Sequence, residues 1–181
     1  LNGDILTDIN ISAVLDRHLA TSSEATLVLA PVEDPSRYGL VETGGNGEIL
    51  RFLEKPKPED LNELSVNTIN AGIYVLEPTI LDLIKKGENH SFEYEVFPKI
   101  LEEKKPFFAY IMTGEYWRDI GTPVSYLEAH HDFLDGSIKG FEIDRSGTSD
   151  IATAAVVDSA SVIGPGCVIK PNAQIKNSVI G

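Results

Sequence analysis

A single cysteine, Cys167, leaves this chain no internal disulfide and no thiolate metal cluster. Basic residues are also scarce, since 15 lysines and arginines face 28 aspartates and glutamates for a formal charge of -13. That balance excludes a binding mode that works by neutralising many phosphates, so neither a nucleic acid nor a membrane is expected as a partner. A phosphorylated ligand would have to be met locally, by a lysine, a helix amino end or a metal ion. No segment has the basic start and apolar centre of a signal peptide, and no apolar run approaches the ~20 residues that span a bilayer. A soluble chain in the cytoplasm is the expectation.

What is present suffices for a core, with 42% of residues hydrophobic. Asn10 caps a helix predicted over 11–20, with Val14, Leu15, Leu19 and Ile11 on its inward face. Residues 26–32 are a nearly unbroken apolar run, the mark of a strand covered on both faces. Residues 40–43 and 49–54 read as arms of a hairpin about Gly44-Gly45-Asn46-Gly47. Pro56 and Pro58 stop the second arm, and residues 59–66 read as an irregular loop. A strand is predicted over 73–76 and a helix over 79–86 behind Pro78. A second helix starts at Ser91 with Phe92, Val96, Phe97, Ile100 and Leu101 as its apolar stripe, interrupted at Pro98. After a strand at 107–112, Thr122 as cap and Pro123 as first helical residue begin a helix that ends near Gly136. The alternation is an α/β pattern, and further strands are expected on the amino-terminal side. Leu1 runs at once into a polar loop and reads as the start of a fragment.

The tail changes period. Ile151, Val157, Ile163, Ile169 and Ile175 recur every sixth residue, with the small Ala155, Ser161, Cys167 and Ala173 at a second phase. A coil with three short sides of about six residues each would bury the branched residue and place the small one near a corner. Fewer than two such turns are present, so an end of the coil is expected to need more chain or another subunit.

Asp4 follows an Asn-Gly pair where a strand would open onto a ligand crevice, and Asp119 precedes a Gly-Thr-Pro helix start. Two hard oxygen donors from separate loops suit Mg²⁺, with phosphate oxygens and water completing the shell. Sequence alone also allows structural roles, an Asx-turn at Asp4 and a loop or capping carboxylate at Asp119. Glu54 and Lys55 are adjacent on an extended segment and point apart, Glu54 suiting hydroxyls and Lys55 a phosphate, although an ordinary surface pair reads the same. Gly39, after Tyr38, and Gly72, after Asn70-Ala71, let backbone approach a ring closely or serve plain turn and strand geometry. Trp117 closes such a pocket or anchors its loop in the core. His18, His130 and His131 lack the paired spacing of a metal site. No nucleophile–base arrangement stands out, and phosphate chemistry beside a metal needs none.

In order along the chain stand Leu1-Asn2-Gly3-Asp4, Asp34-Pro35-Ser36-Arg37-Tyr38-Gly39, Phe52-Leu53-Glu54-Lys55-Pro56, Asn70-Ala71-Gly72-Ile73-Tyr74 and Trp117-Arg118-Asp119-Ile120-Gly121-Thr122-Pro123. Together they resemble the nucleotide-sugar pyrophosphorylases, the sugar-1-phosphate nucleotidyltransferases, from Leu1 to about Gly136. The repeats resemble the left-handed β-helix extension of that family. The resemblance implies a partial Rossmann-like nucleotidyltransferase domain over 1–136, a linker over 137–150 and β-helix hexapeptide repeats over 151–181.

It further implies Mg²⁺ on Asp4 and Asp119, with Lys55 completing the catalytic set. Tyr38, Gly39, Glu54, Lys55, Asn70, Gly72 and Trp117 would line the sugar-phosphate pocket. The implied partners are a sugar 1-phosphate and a nucleoside triphosphate, with room for a homo-oligomer through the coil. The segments 34–39 and 93–98 look most like mannose-1-phosphate guanylyltransferases. Glucose-1-phosphate uridylyl- or thymidylyltransferases and a non-catalytic regulatory subunit are the alternatives, and an acyltransferase, suggested by the repeats, ranks last. The family's Gly-x-Gly-Thr-Arg loop and the Pro-Lys segment after it do not occur in this sequence, so the 181 residues alone are expected not to turn over.

Overall fold

A computed structural model describes residues 1–35, 38–55, 66–141 and 148–181. Ser36 and Arg37, the stop at Pro56 and Pro58, most of the loop reading at 59–66, and the middle of the expected linker lie outside the described residues. Contacts divide the chain into two compact units, Leu1–Ile5 with Ile9–Trp117 and Leu6–Asp8 with Arg118–Gly181.

Strand β1 (Ile5–Thr7) leads to helix α1 (Ile11–Ala20), where Asn10 Oδ1 accepts from the N–H groups of Ser12 at 3.0 Å and Ala13 at 3.3 Å. The helix turns Val14 and His18 inward, 0% and 3% exposed, while Ile11 and Leu15 are exposed and Leu19 is 70% exposed. The expected leucine face is therefore corrected. His18 can occupy a core position because both ring nitrogens find partners, Nδ1 with Thr26 Oγ1 at 2.8 Å and Nε2 with Glu77 Oε1 at 3.2 Å. His18→Ala should cost about 2 kcal/mol or more, because it opens a cavity and leaves the buried Thr26 hydroxyl without that partner. Leu19→Ala should stay within about 0.5 kcal/mol of wild type. Urea unfolding of the two variants checks the order.

The first unit holds a five-stranded sheet in the order β4-β3-β5-β2-β6. Its strands are β2 (Ala25–Pro31), β3 (Leu40–Thr43), β4 (Ile49–Leu53), β5 (Thr68–Leu76) and β6 (Phe107–Ile111). β2 runs parallel to β6 and antiparallel to β5. Its first six residues are buried, as the unbroken apolar run required. Alternate residues serve two cores: Ala25, Leu27 and Leu29 pack with Phe97, Ile100 and Phe107, while Val28 and Ala30 pack with Val14, Leu40 and Ile69.

β5 begins five residues before the predicted strand. Leu27 stands opposite Tyr74 but Leu29 opposite Asn70, so three residues of β5 face Val28, with Gly72 at φ +72° in the bulge.

The helix predicted behind Pro78 is a 3₁₀ turn, Pro78–Leu83, with only Ile80 buried. The helix from Ser91 opens as a π turn, Phe92–Val96, in which the N–H of Phe97 reaches Phe92 O. α2 (Phe97–Glu102) follows, with Pro98 in its first turn, where no donor is needed.

The second unit holds Leu6 and Thr7 of β1 and Arg118 and Asp119 of β7 (Trp117–Asp119), strands that pair as a two-stranded sheet, and helix α3 (Pro123–Leu134). Thr122 Oγ1 caps α3 by accepting from Ser125 N–H at 3.1 Å, and Gly136 follows at φ +82°. Six two-residue strands, β8 (Asp150–Ile151) to β13 (Val179–Ile180), carry the repeats. They pair in parallel across one turn: Ile151 with Ile169, Val157 with Ile175, Ile163 with Ile180. Ile169 and Ile175 are buried as expected, whereas Ile151, in the first of these strands, is exposed. Among the described residues no helix is long and apolar enough to cross a membrane.

Candidate active site

β5 carries the centre of the site. Asn70 Oδ1 accepts from Gly72 N–H at 3.0 Å, which turns its amide Nδ2 to donate to the Tyr74 hydroxyl at 3.0 Å. Tyr74 in turn donates to Glu93 Oε1 at 3.2 Å, and Ser91 Oγ donates to Glu93 Oε2 at 2.9 Å. Phe92 and Phe97 pack against the Tyr74 ring, and burial holds its pKa well above the ordinary phenol value, so it remains a neutral hydroxyl.

Gly39 O accepts from Asn70 N–H at 2.8 Å. A Cβ on Gly39 would stand 2.5 Å from Glu54 Oε2 and 3.7 Å from Asn70 Cβ, so the three residues meet at one spot that only a glycine leaves open. Burial first, and then the charge of Glu93, raise the Glu54 carboxyl above its usual range, with Lys55 pulling the other way. Lys55 is exposed, at φ +49°.

Because the folded carboxyl binds its proton more tightly than the unfolded one, Glu54 lowers stability as pH rises from the ordinary value of 4.5 through its raised value. Glu54→Gln should accordingly be more stable than wild type at neutral pH, and the gain should vanish below pH 4.5. Urea midpoints across pH test this, and a constant difference at every pH would reject it.

Tyr38 and Trp117 form a second group. The Trp117 indole N–H donates to Ala71 O at 2.9 Å, and Tyr38 meets its ring edge-on at 5.6 Å between centroids. Gly72 O accepts from Asn2 N–H at 2.8 Å. Trp117 also lines a cavity of about 270 Å³ with Ala30, Pro31, Val32, Met112 and Glu115. This cavity lies just past the carboxyl ends of the parallel strands β2 and β6, where open α/β sheets take ligands. A second, apolar cavity of about 430 Å³ in the second unit, lined by Leu6, Ile120, Tyr126 and Phe133 among others, contains none of the predicted site residues.

Asp4 is an exposed residue of the first unit, and Asp119 belongs to the second. Asp119 Oδ1 accepts from Gly121 N–H at 2.7 Å, and its carbonyl accepts from the Ser125 hydroxyl. The neighbouring Arg118 ties β7 to α3, donating to Asp132 Oδ2 and Glu128 Oε2, each at 2.7 Å. Among the described residues no cluster of three histidine, cysteine or acidic side chains could hold a metal. Asp4 and Asp119 offer hard carboxylate oxygens, the donor type magnesium takes.

Sequence reasoning did not single out Tyr74, Glu93 or Arg118. The sequence signals were that Tyr74 ends the Asn70 block, Arg118 stands inside the Trp117 block and Glu93 opens the segment 93–98.

Residues 1–136 match the family described as Nucleotidyl transferase. The chain belongs to the nucleotidyl transferase family. It is 37% identical over 174 residues to a probable mannose-1-phosphate guanylyltransferase 2 of Arabidopsis thaliana, covering 95% of this chain and 45% of that protein. It is 30% identical over 187 residues to a mannose-1-phosphate guanylyltransferase of Mycobacterium tuberculosis, covering 99% and 50%. It is 31% identical over 210 residues to a UTP–glucose-1-phosphate uridylyltransferase of Synechocystis, covering 99% and 53%. This nucleotidyl transferase chain thus spans about half the length of the relatives it matches. All the candidate residues, from Asp4 to Asp119, fall inside the family match.

Proposed function

We propose that the intact protein transfers a nucleotidyl group from a nucleoside triphosphate to a sugar 1-phosphate, with GTP and mannose 1-phosphate as the first pair to test. The observation that carries this reading is the meeting of an open glycine, a carboxylate and an oriented amide at Gly39, Glu54 and Asn70, groups whose chemistry suits sugar hydroxyls. The relatives named as mannose-1-phosphate guanylyltransferases support the first pair. The Synechocystis relative supports glucose 1-phosphate with UTP as the second pair, and glucose 1-phosphate with TTP stands beside it as the alternative drawn from the sequence.

In this reading a sugar-phosphate oxygen attacks the α-phosphorus. The new P–O bond forms as the α–β bridge bond breaks, and pyrophosphate leaves with the electron pair. Glu54 and Asn70 hold the sugar by its hydroxyls, Lys55 offsets phosphate charge, and Tyr38, Gly72 and Trp117 close the pocket. Asp4 and Asp119 would hold Mg²⁺, which supplies neutralisation of the charge crowded around the α-phosphorus.

The paired repeats would begin a left-handed β-helix over 151–181 beyond a linker at 137–150, with the nucleotidyltransferase domain over 1–136. Exposed Ile151, Val156 and Val168 suit association of copies through that region. A cytoplasmic setting completes the reading.

Pyrophosphate release by the intact protein with Mg²⁺ and each pair is the test. Release with mannose 1-phosphate and GTP is expected, and release only with glucose 1-phosphate would move the assignment to the second pair. Silence with every common pair would reject transfer and favour the regulatory subunit.

A further inference from the structure

The hydrogen-bond chain from Asn70 does not stop where the proposed pocket stops; it runs on through Tyr74 to Glu93. We propose that Glu93 is a second hydroxyl acceptor of the sugar subsite, a specificity-determining residue that, with Glu54, limits the site to neutral hexoses with free hydroxyls facing both carboxylates. This rests on nucleotidyl transfer to a sugar phosphate and adds the substrate class.

Three observations carry it. Glu93 is half-buried and gripped on both oxygens, by Tyr74 on Oε1 and by Ser91 on Oε2, so its position is set before any ligand arrives. The grip depends on the π turn Phe92–Val96, a rare geometry that is frequent at functional sites, and Ser91 both caps that turn and holds the carboxylate. Glu93 is also close enough to Glu54 for its charge to raise the Glu54 carboxyl.

Two neighbouring carboxylates accept hydrogen bonds and offer none. The ligand that satisfies them must donate at two points and carry no negative charge of its own there. Hydroxyls of a plain hexose meet both conditions. A uronic acid would add a third carboxylate, and a deoxy sugar would leave one acceptor unmet at a cost the site cannot recover from solvent. Were Tyr74 only packing against Phe92 and Phe97, it would need no hydroxyl. Its O–H instead joins the oriented Asn70 amide to Glu93, so the two halves of the subsite keep one register.

The test uses the intact protein with the accepted sugar 1-phosphate and its monodeoxy analogues. Wild type should discriminate against two deoxy positions. Glu93→Gln, which keeps an acceptor for Tyr74, should lower kcat/KM for the parent sugar about 10- to 100-fold, mostly through KM, and leave the KM for nucleotide unchanged. It should flatten the penalty at one deoxy position, and Glu54→Gln the penalty at the other. Ser91→Ala and Tyr74→Phe, which loosen the carboxylate without removing it, should show the same change of pattern in smaller measure and serve as the test if Glu93→Gln does not fold. An active wild type whose deoxy pattern is untouched by these variants would overturn the role of Glu93 and leave nucleotidyl transfer standing. A wild type that uses no sugar 1-phosphate would overturn both.

Discussion

Asparagine in place of Asp119 is expected to remove most of the magnesium-dependent turnover of the intact protein while leaving its fold in place. Asp119 has two separable tasks. One is local: Oδ1 accepts from Gly121 N–H at 2.7 Å just ahead of α3, and an asparagine oxygen can do the same. The other, in the proposed reaction, is to bring a full negative charge to a divalent cation, which an amide cannot do. Asp119→Asn thus keeps the turn that Asp119→Ala would also lose, and isolates the charge. Loss of electrostatic stabilisation at a developing charge typically costs about 10²–10³ in kcat, and that is the expected scale. The activity that remains should need higher magnesium to saturate. Near-wild-type kinetics across a full magnesium titration would reduce Asp119 to the loop or capping carboxylate that the sequence also allowed. Arg118 offers a contrast: held by Asp132 and Glu128, it positions β7, and replacing it should disturb stability together with activity and leave the magnesium dependence unchanged.

What was legible in the sequence was what neighbours along the chain decide. Asn10 before α1, and Thr122 with Pro123 before α3, announce their helices because a cap and its donors lie within three residues. β2 was legible because burial on both faces leaves an unbroken apolar run. The misreadings share a different cause. His18 was passed over as an inward residue because Thr26 and Glu77, which satisfy its ring, reach it only through the fold. The start of β5 was missed because the register breaks inside the strand, where Gly72 takes a left-handed backbone to form a bulge. The π turn has no composition of its own and follows from where Phe97 and Ile100 must sit in the core. The site divides in the same way. Gly39, Glu54 and Asn70 came from ordered blocks and do converge, whereas Tyr74 and Glu93, 19 positions apart, could be joined only once β5 and the π turn were in place.

A single methyl group at Gly39 should separate function from stability more cleanly than any change at Gly72. The backbone at Gly39 is not in the left-handed region, so Gly39→Ala carries no intrinsic strain. Its only severe contact is with Glu54 Oε2, at 2.5 Å, with Phe52 Cζ next at 3.3 Å. A carboxylate at the end of a flexible side chain gives way before a strand does. Glu54 would have to retreat by about 1 Å to restore ordinary packing, and a displacement of that size at a substrate-positioning group is worth about 10²-fold in rate. The unfolding free energy should stay within about 0.5 kcal/mol of wild type, helped by the smaller conformational freedom of alanine in the unfolded chain. Gly72→Ala meets the opposite conditions. At φ +72° the new side chain costs about 1–2 kcal/mol in backbone strain, and its Cβ would press to 2.9 Å from Asn2 Nδ2 and 3.2 Å from Ile5 Cγ1. Stability should fall there first, and activity only as a consequence. Parallel urea unfolding and sugar-phosphate kinetics on the two variants decide the point. A Gly39→Ala protein with wild-type KM and kcat for the sugar phosphate would mean that the Glu54 carboxylate does not hold the substrate.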